Sequence, residues 1–175
     1  MINLIFGIVL AVLHLNPAEQ ATITKTHDQI ALKLAPSAKQ KLQRVSQSLA
    51  NAPNAENAAR LGITNAFPGV NFSESDISAL IVFVMWEATK DADNDLKNLM
   101  DELKKINDKK AALRSATVAQ SDVAKKKLDS LNEMSEMTSL RLQMMMDKRS
   151  KFISTLSNIM KKISSTQDTV VQNLK

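Results

Sequence analysis

The carboxylates of "DADNDLKNLMDE", residues 91–102, are the first candidates for chemistry in this chain. Asp91, Asp93, Asp95 and Glu102 fall at positions one, three, five and twelve of that stretch. This is the spacing with which a calcium loop turns alternate residues inward and closes on a bidentate Glu. Such a loop also needs a sharp turn at its sixth position, which glycine supplies, and here that position is Leu96. Leu96, Leu99 and Leu103 continue an apolar repeat that begins at Val82, so the expected backbone is helix. On a helix Asp91 and Asp95 are neighbours while Asp93 points elsewhere, which makes a solvated acidic face and no cage.

Other residue types narrow the chemistry further. Cysteine is absent, which excludes disulfides and thiol catalysis. The two histidines, His14 and His27, are too few for a histidine metal cluster. His27 and Asp28 form a local hydrogen-bonding pair, but no serine or cysteine nucleophile motif accompanies them. No glycine-rich phosphate loop occurs. The basic runs "KKK" (125–127) and "MDKRSK" (146–151) lack interleaved aromatic residues for stacking on bases. The net charge of +5 is spread along the chain among acids, so these runs read as solvated helix faces. "LRLQMMMDK" reads as pliable methionine packing. The expectation is a non-enzymatic protein with no catalytic, metal or cofactor residues, and nucleic acid is not expected as a partner.

The elements that carry these residues are expected to be helical. The 175 residues include no Tyr, one Trp and five Phe, which leaves few rings to anchor a globular interior. All three glycines and four prolines precede residue 73, so the C-terminal part should be unbroken helix. Residues 2–15 are apolar apart from Asn3 and His14, and as a helix would cover about 21 Å, short of a ~30 Å hydrocarbon core. That length fits the hydrophobic region of a signal peptide, although no Lys or Arg precedes it. The expected organisation is a signal peptide or N-terminal hydrophobic anchor over residues 1–21, short helices and loops over 22–72, and a long hairpin over 73–175. The expected location is periplasmic or secreted, or at a membrane if the leader is retained as an anchor.

In the middle region "APSAKQKLQRVSQSLANAP" predicts a short helix with Pro36 in its first turn and Ala38, Leu42, Val45 and Leu49 on one stripe. "NAENAARLG" predicts another, with Gly62 as a left-handed stop, and Pro68-Gly69 marks a turn. Ser73 or Ser75 should cap the first long helix. Its seam runs through Val82, Met85, Thr89, Ala92, Leu96, Leu99, Leu103, Ile106 and Leu113, with Lys110 interrupting. Residues 115–122 lose the pattern, and Ser121 or Asp122 offers the next cap.

The second seam collects Ala124, Leu128, Leu131, Ser135, Thr138, Leu142, Met145, Arg149, Phe152, Leu156, Ile159, Ile163, Thr166 and Val170. Met134 and Met137 are candidates to take it over where Ser135 and Thr138 weaken it. Residues 73–114 hold seven basic and nine acidic side chains and residues 115–175 ten and six, which favours antiparallel pairing. Folding back near residue 118 would set Asp95 level with Arg141, Glu87 with Arg149 and Lys104 with Glu133. It would also set Trp86 near the level of Met146 to Ile153, within reach of sulfur-to-ring contact.

The predicted fold class is therefore all-α, a long antiparallel, coiled-coil-like helical hairpin with short N-terminal helices packed on it. The expected function is assembly through the seams. Val82, Met85, Trp86, Leu96, Leu99, Leu103, Ile106, Leu142, Met145, Phe152, Leu156 and Ile159 are the interaction and packing residues. The partner is protein, either a second copy or another chain, because two narrow seams present more apolar stripe than one hairpin covers. A second reading gives membrane contact through the leader or through "ALIVFVMW" (79–86), which as helix is too short to span. In architecture such a Cys-free, aromatic-poor hairpin is similar to filament, needle-tip and translocator proteins of bacterial secretion systems, a similarity that assigns no residue a role.

Overall fold

A computed structural model describes residues 16–115 and 121–163. Among these residues the regular elements are all helices: α1 (Pro17–Lys33), α2 (Pro36–Ser48), α3 (Ala55–Ala66), α4 (Glu74–Ser115) and α5 (Asp122–Ile163). A 3₁₀ turn, Leu49–Asn51, follows α2. The long helices α4 and α5 pack against each other and the shorter ones pack on them, the all-α hairpin read from the sequence. Residues 1–15 of the predicted leader, residues 116–120, and Thr166 and Val170 of the second seam lie outside the described residues, while residues 16–21 of that leader begin α1.

Side-chain caps open four of the five helices, and α2 starts on Pro36 without one. Asn16 caps α1 by accepting from the Ala18 amide at 3.1 Å, with Pro17 at the first helical position. Asn54 accepts from the Asn57 amide at 3.0 Å to cap α3. Ser73 opens α4 through a reciprocal box: its Oγ accepts from the Asp76 amide at 3.1 Å, and its own amide donates to Asp76 Oδ2 at 3.0 Å. Ser121 opens α5 by accepting from the Ala124 amide at 3.2 Å. With neither Gly nor Pro to interrupt them, α4 and α5 each run for 42 residues, about 63 Å of helix.

Two details of the middle region differ in their physics. Pro68 and Gly69 form the predicted turn, in which the Val70 amide donates to the Phe67 carbonyl at 3.3 Å and Gly69 takes φ +82°. Gly62, in contrast, is not a helix stop; α3 continues through it to Ala66. Its value is close approach, since a Cβ at Gly62 would lie 2.6 Å from Cγ1 of Val45 on α2.

The described residues divide into two compact units, and both long helices contribute to each. Residues 16–91 with 149–163 form the first, and residues 92–115 with 121–148 form the second. This division cuts across the linear boundary at residues 72 and 73, because the apolar start of α4 belongs with the short helices. In the first unit, Ile23, Ile30 and Leu34 from the α1 segment, Leu42, Val45 and Leu49 from α2 and its end, and Ala59 and Ile63 from α3 enclose residues 77–88. Phe152, Leu156, Ile159 and Ile163 of α5 complete that core. Residues 79–86 are buried throughout, so "ALIVFVMW" is the centre of the chain's own packing in this structure. A bidentate Arg60–Glu74 pair with both contacts at 3.0 Å ties α3 to α4, and Lys162 reaches Glu56 at 3.7 Å.

The second unit has a simpler interior. Ala92, Leu96, Leu99 and Ile106 of α4 are buried, as are Ala124 and Thr138 of α5. Leu103, Leu113, Leu128, Leu131, Leu142 and Met145 are half-buried beside them. Met134 and Met137 do not take over the seam, for both are exposed while Thr138 stays inside. Thr and Ser are narrow enough for two helices to approach, so the seam keeps its phase through them.

Candidate functional site

The acidic motif lies within uninterrupted α4, so Asp91, Asp93, Asp95 and Glu102 sit on a helix and cannot wrap an ion as a loop does. Among the described residues no group of three His, Cys, Asp or Glu side chains converges as a metal site. Glu102 instead approaches Arg141 of α5 at 3.9 Å. The expected partner of Arg141 was Asp95, one heptad earlier. A seven-residue slip keeps the same face of α4 toward α5, so charge pattern fixes the face more firmly than the register. Lys104 and Glu133 form no pair, and Glu87 takes partners other than Arg149.

Those partners make the most polar point of the interior. His27 of α1 is buried, and its ring stacks on Phe83 with centroids 4.8 Å apart. Its Nε2 lies 2.7 Å from Glu87 Oε1 on α4, and its Nδ1 lies 3.0 Å from Asp28 Oδ1. Both contacts are hydrogen bonds at once only when both ring nitrogens carry protons. Lys90 Nζ donates to the same Glu87 oxygen at 2.6 Å. The His27 hydrogen bond, opposed by burial and assisted by Lys90, lowers the Glu87 carboxyl from its ordinary 4.5 to about 2. This node fastens α1 to α4. The local His27–Asp28 pair was legible in sequence; Glu87, sixty positions away, was not.

No protein-family model, curated protein or solved structure matches this chain. Its possible action therefore rests on its own surface. The twelve packing residues divide between the two units. Val82, Met85, Trp86, Phe152, Leu156 and Ile159 lie in the first core; Leu96, Leu99 and Ile106 are buried in the second unit, with Leu103, Leu142 and Met145 half-buried there. All twelve are occupied by packing within the chain, which leaves them little surface to offer a partner.

The apolar surface that remains is elsewhere. Of the seven large hydrophobic side chains exposed among the described residues, five belong to α5: Val123, Met134, Met137, Leu140 and Met144. They lie on a face turned away from the seam with α4. Sequence reading treated this methionine-rich stretch as packing material, and the missing signal was a second apolar periodicity beside the first.

Proposed function

We propose that this protein is a non-catalytic helical interaction protein that self-associates and is exported. The observation that carries the reading is the concentration of exposed apolar side chains on one helix, α5. Scattered single apolar residues are ordinary on a protein surface, whereas a contiguous group marks an interaction site. The apolar run at residues 2–15 supports export. Burial of residues 79–86 disfavours the membrane-active reading, because insertion of that segment would first require the core to open. Among the described residues no helix is long and apolar enough to cross a membrane.

Sedimentation equilibrium on the full chain, from low to high micromolar concentration, tests the proposal. The expected result is an apparent mass that rises with concentration. A monomer throughout that range would overturn it.

A further inference from the structure

Self-association leaves open which surface meets which, and the outward face of α5 supplies an answer that rests on that reading. With Met137 placed at heptad position a, Val123 and Met144 also fall at a, and Leu140 falls at d. Met137, Leu140 and Met144 are 64%, 61% and 64% exposed. The seam toward α4 occupies positions b and f of the same numbering, about 150° around the helix. The outer stripe is thus a second face of α5.

The residues bordering this stripe have opposite charge on its two sides. Asp122, Asp129 and Glu136 occupy g, while Lys127, Arg141 and Lys148 occupy e. In a parallel pair of helices each g residue meets the e residue five places onward in the other chain. Asp122 then faces Lys127 of a second copy, and Glu136 faces its Arg141. An antiparallel pair matches g with g and e with e, which forms none of these acid–base pairs. Arg141 keeps a long, exposed contact to Glu102 at 3.9 Å, and Asp122 one to Lys125 at 3.7 Å. Exposed pairs of that kind are weak enough to be exchanged or shared.

We infer that a second copy of this chain docks on the outer face of α5, parallel and in register, around Met137, Leu140 and Met144. In that pair Lys126, Glu133 and Asp147 at the other d positions each meet their own counterpart, like charge against like, which confines the apolar contact to that stretch. The pairing is accordingly weak and dependent on concentration.

Absence of native cysteine makes the orientation directly readable. Met137→Cys and Met144→Cys, made separately in the full chain, each place one thiol on the stripe. A parallel, in-register pair brings each position within disulfide reach of itself, a Cα separation of roughly 4.4–6.8 Å. An antiparallel pair can align at most one of them. The expected result is a disulfide dimer from both variants under mild oxidation, and association weakened at least ~10-fold in Leu140→Lys with helix content unchanged. Cross-linking of only one variant, or of neither, overturns the inference. If the wild type still associates and Leu140→Lys associates equally well, the face is wrong but self-association stands. A wild type that remains monomeric at high micromolar concentration overturns both.

Discussion

Residues 79–88 and residues 134–144 are both rich in apolar side chains, yet the first segment lies inside the protein and the second is largely outside. The difference follows from how many helices surround each. In the first unit the start of α4 is enclosed by α1, α2, α3 and the end of α5, so a helix apolar on every side finds cover on every side. Among the described residues the second unit contains only stretches of α4 and α5, and each helix can bury one stripe against the other. The stripe bearing Met137 and Met144 has no helix of its own unit to cover it. One region buries its apolar side chains within the chain, and the other leaves part of them exposed.

The sharpest way to break this comparison is to remove matched side chains from the two interiors. Leu80→Ala, at a site with no exposed surface, should lower unfolding free energy by about 4 kcal/mol in urea titration. Leu99→Ala should cost about 2 kcal/mol, because a narrow two-helix seam collapses more readily around the lost volume. Equal losses would remove the distinction between the units. Gly62→Ala should destabilise by about 1–2 kcal/mol, overcoming the ~1 kcal/mol that Ala normally gains in a helix, because Val45 occupies the space. Val45→Ala in the same chain should relieve most of the clash, read as a coupling energy in a double-mutant cycle.

Smaller effects sharpen the local account. Ser73→Ala removes one half of the α4 capping box and should cost about 1 kcal/mol by the same titration. Glu87 has a folded-state value below its ordinary 4.5, so its contribution to stability is present above that pH and lost as pH falls toward about 2. Glu87→Gln should therefore be less stable than wild type above 4.5, with the gap closing through that interval as measured by thermal unfolding across pH. The smallest effect belongs to the second face: Leu140→Ser should change stability at low protein concentration by within ~0.5 kcal/mol, as for other exposed sites.

What could be read in the sequence was what repeats or punctuates. The seams through Val82 to Ile106 and Leu142 to Ile163 follow from heptad spacing, and Pro36, Ser73, Gly69 and Ser121 mark boundaries through local backbone chemistry. Helix α1 was hidden because its buried stripe, Ile23, His27, Ile30 and Leu34, includes a histidine that a hydrophobic count leaves out. Its cap, Asn16 followed by Pro17, was the available signal. Gly62 was misread because a close approach depends on the opposing Val45, and no local rule contains that neighbour. Hairpin register was undetermined for a related reason, since a slip of one heptad preserves both seams. The candidate interaction face lay in plain view as methionines, but only the burial of the first stripe reveals that the second is spare.

Hydrogen exchange on the full chain at two protein concentrations tests the central contrast most directly. Amides of residues 79–88 should exchange slowest and to the same extent at both concentrations. Amides of residues 134–147 should gain protection as concentration rises, because association covers that face and holds its helix. Protection of residues 134–147 that does not change with concentration, or residues 79–88 exchanging as fast as they do, would contradict it.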